Sequence, residues 1–292
     1  MKLSDILSEK DEIIRDGIFS SMGTLFSHYP QQIVYALREN DITKIAGNSS
    51  VTCVITTSTL VSRIPETMGI VSSRDPRYTF YTLQSEIHHH PEFNLQPFNN
   101  RISPSAQIHP SAIISPTSVE IGRNVVIEKN VIINEQTIID EGSIIRSNST
   151  IGNTPLLPGP AVHYQIICPS GGVHLHRDVD IHANTCIYKA IFKGYTEIGE
   201  QTKIDNLNTV GSGTTIGKRC LFCGGVTVGE STAIGDNTWI GPNATLGNQI
   251  QVGNNVYITI GSTVTHDISD DKVVKDNFAI DRKRFRKVIR GM

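Results

Sequence analysis

Along the second half of the chain an apolar residue recurs every six positions: Ile198, Ile204, Val210, Ile216, Phe222, Val228, Ile234, Ile240, Leu246, Val252, Ile258 and Val264. All twelve are apolar in a chain that is 38% hydrophobic, a coincidence expected about once in 10⁵ trials for a preset register. An earlier block keeps the same step through Ile121, Ile127, Ile133, Ile139, Ile145 and Ile151. A shorter one runs Ile102, Ile108, Ile114 and then slips by one residue. Six is neither the helical period of 3.6 nor the strand period of two. It fits a chain that makes a short strand, turns a corner and starts another strand.

Four residues after each aliphatic comes mostly a small or β-branched residue, as at Thr202, Thr214, Cys220, Thr232, Thr238, Ala244 and Ser262. It stands two before the next aliphatic, so both point to the same side. The corners carry Asn124, Asn130, Asn237, Asn243 and Asn254, a residue type that tolerates left-handed backbone angles. Three such sides close a coil of about 18 residues, which is the hexapeptide-repeat parallel β-helix. Two interruptions stand out. Residues 152–172, rich in proline and glycine, read as a loop thrown out from the solenoid, and residues 188–197 replace a step of six by eleven.

Before Ile102 the pattern changes. SSVTCVITT and MGIVSS read as strands and LSDILSEKDEII as a helix, so residues 1–101 predict a small α/β domain. The solenoid then occupies 102–270, and 271–292 form a basic helical tail with six cations between Arg282 and Arg290. The net charge of −2 argues against general nucleic-acid binding. The charged start lacks the apolar run of a secretory signal, and no apolar stretch approaches a membrane span. Five cysteines in 292 residues make no disulfide framework. A cytoplasmic location is the expectation. Cys220 and Cys223 form a nominal CxxC, but one faces inward and the other a corner, so no shared metal or redox role is expected.

An α/β head followed by IHPSAIISPTSVEIGRNVVI, GGVHLHRDVDIHANTCIYKA, KIDNLNTVGSG and GSTVTHDI resembles the UDP-3-O-acylglucosamine N-acyltransferases of lipid A synthesis. It equally resembles N-acyltransferases that modify amino groups on nucleotide-linked deoxysugars. The resemblance implies a left-handed coil and a homotrimer with active sites between neighbouring solenoids. It also implies transfer of an acyl group from coenzyme A or acyl carrier protein to a sugar amine. Three positions depart from the lipid A pattern. Its catalytic histidine, seven residues after Asp205, is replaced by Ser212; a second histidine falls at Gln249; an acidic residue falls at Tyr188. The missing base favours a deoxysugar relative.

Amide formation from a thioester needs a neutral amine, a positioned carbonyl and a donor for the developing oxyanion. A general base adds typically 10²–10⁴-fold. The candidates for catalysis are His182, which stands where the family usually has glycine, His163 in the long loop, and Ser212. Asp205, Asn206 and Tyr188 are candidates for binding the sugar substrate; Trp239, Asn243 and Arg284 for the donor. Each has a bland alternative: Asn206 as a corner residue, Trp239 as packing between subunits, the histidines as surface groups. Asn208 points inward and reads as structural. His174 and His176 flank an inward position and face solvent, and the HHHP run at 88–91 reads as a polar loop. Related trimeric solenoids hold zinc between subunits, but the spacing of His176 and His182 does not match, so no metal is expected. The reading is a homotrimeric N-acyltransferase that takes an acyl-coenzyme A thioester and a UDP- or dTDP-linked amino sugar. Its rivals are the lipid A enzyme using acyl carrier protein and a non-catalytic solenoid that binds a nucleotide sugar.

Overall fold

The computed structural model describes residues 1–6, 11–25, 27, 29–155 and 168–275. From Arg101 the chain winds through three parallel sheets, one per side of a triangular β-helix. The first face holds nine strands, from Gln107–Ile108 to Val273–Val274. The second holds eight, from Ile113–Ile114 to Thr263–Val264, and the third eight, from Arg101–Ile102 to Gln251–Val252. In the regular part each strand pairs with the one 18 residues on, as Lys203 with Leu221 and Leu221 with Trp239. The twelve residues of the six-step series are all at most 5% exposed. They stack in columns down the interior, one aliphatic per strand.

The small inward residues have a second job. The hydroxyls of Thr202, Thr214, Thr232 and Thr238 donate to the carbonyls of Gly217, Gly229, Gly247 and Gly253 on the next coil, at 2.8–3.1 Å. The Cys220 thiol makes the equivalent contact to Gly235 at 3.1 Å. A buried corner carbonyl without a donor would be costly, so a small hydroxyl suits the site better than a methyl group. Asn124, Asn130, Asn237 and Asn243 all take positive φ, as expected. At the last such corner Asn255 does so (φ 55°) and not Asn254; the Asn254 side chain instead accepts the Asp236 N–H at 2.8 Å.

Both interruptions leave the sheets continuous. Ile144 pairs with Asp180 and Asp180 with Lys203, so the first face runs straight past the extra residues. The strand Thr150–Asn153 precedes the first excursion and Gly172–Leu175 follows it. The solenoid also runs beyond the expected limit at 270, because Val273–Val274 still pairs with Tyr257–Ile258. The proposed tail helix lies outside the described residues.

The head is a five-stranded sheet of order β1-β5-β4-β3-β2. Its strands are β1 (Glu12–Arg15), β2 (Ser21–Met22), β3 (Gln32–Tyr35), β4 (Val51–Thr56) and β5 (Gly69–Ser72), with helices α1 (Glu39–Ala46) and α2 (Pro76–Ile87). The two expected strands are β4 and β5. The helix expected over LSDILSEKDEII is not continuous: Leu3–Asp5 is one 3₁₀ turn, and Glu12–Arg15 pairs antiparallel with β5. A sheet edge in need of a partner overrides a weak local preference. The His88–His90 run is not a free loop either. The His88 N–H donates to Gln84 at the end of α2, and His90 leads into a turn that buries Phe93.

The second excursion fastens the solenoid to the head. Ile191 and Phe192 are buried in the head core. The Phe192 ring meets Phe80 edge-on at 5.3 Å and stacks on Tyr81 at 6.3 Å. The Gln84 amide donates to Ser170 Oγ and to the Ile191 carbonyl at 3.0 and 3.4 Å.

Candidate functional site

The rung at Asp205 is built from within. Asp205 Oδ1 accepts the backbone and side-chain N–H groups of Asn206 at 2.7 and 2.8 Å. Asn206 Oδ1 in turn accepts the Ala183 N–H of the preceding coil at 3.1 Å. Asn208 is buried and fully engaged. Its amide donates to the carbonyls of Asp205, Asn206 and Cys223, and its oxygen accepts the Val226 N–H. Between them Leu207 takes φ 62° with 67% of its surface exposed, an uncomfortable corner for a branched apolar side chain.

His182 stands on the coil above Asp205, at the edge between the first and second faces. Its Nδ1 lies 3.5 Å from Asp205 Oδ1 and its Nε2 3.6 Å from Asp180 Oδ2. Asp180 is already held by Arg146, through two hydrogen bonds of 3.0 and 2.8 Å. The sequence therefore places an imidazole and a carboxylate 23 positions apart into one partly exposed pair.

Ser212, the residue at the position of the lost histidine, does not join them. It is 1% exposed and its Oγ donates to the Lys189 carbonyl at 2.6 Å. It ties down the start of the second excursion. Tyr188 is half-buried on the second face beside Cys186, and burial raises its phenol above the ordinary value. Trp239 lies flat on Tyr257 at 4.2 Å and 8°, so one face of the indole is already occupied. Asn243 is an exposed corner residue with φ 56°. His163 and Arg284 lie outside the described residues.

Residues that the six-step pattern could not point to line a cleft of about 390 Å³ between the head and the edge joining the second and third faces. Tyr35, Arg38, Arg77 and Tyr81 come from the head; Glu230 and Gln249 come from the solenoid. Gln249, the second departed histidine position, donates from Nε2 to the Tyr35 hydroxyl at 3.0 Å. Burial raises the Glu230 carboxyl above its ordinary range, and Arg77 opposes that. Three cations (Arg38, Lys44, Arg77), three carboxylates (Asp41, Glu230, Asp267) and the two tyrosines make it a polar pocket. His182 and this cleft occupy different edges of the prism.

Residues 118–153 and 231–266 match the family model for bacterial transferase hexapeptide (six repeats). The chain is 48% identical over 62 residues to UDP-3-O-acylglucosamine N-acyltransferase of Oleidesulfovibrio alaskensis, covering 21% of this chain and 18% of that one. It is 41% identical over 69 residues to the protein of that name from Paracoccus denitrificans, covering 24% and 19%. The match thus spans only about a fifth of the length of these curated relatives. Among solved structures, UDP-N-acetylglucosamine acyltransferase from Campylobacter jejuni is similar over 65% of this chain and 82% of its own, at 20% identity and a TM-score of 0.49.

Proposed function

We propose that this protein is an N-acyltransferase that moves an acyl group from a coenzyme A thioester to the amino group of a UDP- or dTDP-linked amino sugar. The observation that carries the reading is the His182–Asp205 pair beside the DNL rung. Asp180 is held by Arg146 and Asp205 by Asn206, so both carboxylates are fixed beside the ring, Asp205 on its Nδ1 side. A proton on Nδ1 facing Asp205 leaves Nε2 to take a proton from the attacking amine. The amine then adds to the thioester carbonyl, the C–S bond breaks, and the thiolate leaves.

The cleft at Tyr35, Arg38, Arg77 and Tyr81 supports binding of the nucleotide and its phosphates. His182 and the cleft lie on different edges of one chain, so the complete site in this reading forms where one copy's His182 edge meets the next copy's cleft. A closed ring of three does this at every interface. The donor's adenine is assigned to the Trp239–Tyr257 stack, whose Tyr257 is 43% exposed, with Asn243 at the adjoining corner.

A second reading, the lipid A reaction with acyl carrier protein as donor, is favoured by the names of the curated relatives. The test is turnover of purified protein on UDP- and dTDP-linked amino sugars with acyl-coenzyme A or acylated carrier protein. Activity with coenzyme A thioesters is the expected result. Activity only with the carrier protein supports the second reading, and nucleotide-sugar binding without turnover by any donor overturns both.

A further inference from the structure

Four side chains from three successive coils converge on the third face, away from the His182 edge. Asp140 follows the strand Thr137–Ile139, and His174 and His176 flank the buried Leu175 on the next coil. Glu197 lies on the coil after that, in register with His174. His174 Nε2 is 3.1 Å from Asp140 Oδ2, and His176 Nδ1 is 3.7 Å from the same oxygen. The two imidazole rings lie 4.0 Å apart, tilted by 33°. One ligand atom from each of Asp140, His174 and His176 can be chosen so that all three lie within 4.8 Å of one another. The remaining nitrogen of His176, Nε2, faces Glu197 Oε2 at 3.5 Å.

We propose that Asp140, His174 and His176 bind a divalent metal ion of the zinc class, with Glu197 orienting His176 from behind. Two imidazoles and one carboxylate suit Zn²⁺, Co²⁺ or Ni²⁺, whereas Mg²⁺ and Ca²⁺ prefer all-oxygen shells. Metal on His176 Nδ1 requires the proton on Nε2, and that is the nitrogen Glu197 faces. A carboxylate behind a ligating imidazole fixes both its tautomer and its angle. Without an ion, two histidines crowd a single carboxylate oxygen. The ligands also bracket the weak point of the solenoid. Asp140 comes before the first excursion, the histidines lie between the two excursions, and Glu197 closes the second. A bound ion would tie two of these coils directly, and the third through Glu197, where their connectivity is longest. Three protein ligands leave a fourth position free.

The site makes no use of the acyl-transfer reading and is tested separately. The full chain, made without a histidine tag and stripped by chelator, is titrated with Zn²⁺ alone and with Co²⁺ alone. One equivalent should bind with a Kd below about 10 µM, Co²⁺ should show visible absorption, and Zn²⁺ should raise the Tm. H176A and D140N should each weaken binding by about 100-fold or more, and E197Q by about 10- to 100-fold. H109A, on an unrelated surface, should change nothing. Binding weaker than about 100 µM, or equal binding by H176A and D140N after circular dichroism shows both folded, overturns the proposal. If H176A does not fold, D140N and E197Q decide it by the same criterion.

Discussion

Asp205 Oδ1 lies 3.5 Å from Nδ1 of His182, across two successive coils of the first face. The carboxylate belongs to the rung whose histidine is lost, and the imidazole stands where a corner glycine is usual. In the proposed reaction His182 serves as the base and Asp205 orients it, at a different edge of the prism from Ser212. His182→Ala should therefore lower kcat by about 10²–10⁴-fold with the circular dichroism spectrum unchanged. Asp205→Asn should cost less, because it disturbs the tautomer without removing the base. Turnover of His182→Ala within threefold of the parent would mean that positioning alone drives the reaction.

Assembly of the site between copies makes a mixing prediction. His182→Ala and Arg77→Ala should each be nearly inactive. Unfolded together in equal amounts and refolded, they should recover about a quarter of the parent activity, because one interface in four pairs an intact His182 with an intact Arg77. Steady-state rates on the mixture check this. No recovery, with trimers confirmed by light scattering, would place both residues in one chain's site.

Phe192 anchors the solenoid to the head through Phe80 and Tyr81. Truncation to alanine should destabilise the head by about 3–5 kcal/mol, as for a large buried aromatic. The columns of the solenoid core do not include this residue. Thermal unfolding of the variant should therefore split into an early head transition and a late solenoid transition, followed by near- and far-ultraviolet circular dichroism. A single unshifted transition would show that the excursion does not carry the docking.

Leu207 holds a left-handed corner at φ 62° with most of its surface in solvent. Asparagine tolerates that conformation at lower cost, so Leu207→Asn should raise stability by about 0.5–1 kcal/mol in denaturant titration. A leucine kept at a strained, exposed position has a reason to be there. The same variant should lose activity or trimer stability if that reason is contact with substrate or with the neighbouring copy.

Glu230 ionises with difficulty because burial in the cleft raises its carboxyl above 4.5. The folded state then holds this proton more tightly than the unfolded chain does. Its contribution to stability falls as pH rises above 4.5 toward the folded value and stays reduced beyond it. Glu230→Gln should match the parent below pH 4.5 and exceed it in stability at pH 7–8. Paired denaturation curves at several pH values check the sign. A variant less stable than the parent at pH 8 would show that the Arg77 charge outweighs burial.

The six-residue step determined the solenoid without help, because each coil repeats one local problem. An apolar residue must face in, a small hydroxyl must meet a carbonyl, and a corner must turn left-handed. Short-range sterics and burial answer all three, so Ile204, Thr214 and Asn243 could be placed from the sequence. The strands β4 and β5 were also readable, since continuous β-branched runs are what a covered parallel sheet needs.

What joins distant coils was decided only by the tertiary structure. The meeting of His182 with Asp205 depends on the second excursion, which makes that coil 23 residues long where the regular ones take 18. The meeting of Asp140, His174 and Glu197 depends on how many residues each excursion adds to the count, which sets Ile138 beside His174 and His174 beside Glu197. Ser212 was a catalytic candidate because it fills the position of the lost histidine, yet only the fold shows it buried with its hydroxyl on the Lys189 carbonyl. The sequence showed residues 188–197 only as a break in the count, because the partners of Phe192, Phe80 and Tyr81, belong to the head. Periodicity reports the contacts that repeat; the head–solenoid junction is made of contacts that occur once, and those are settled by where two separately folded surfaces fit.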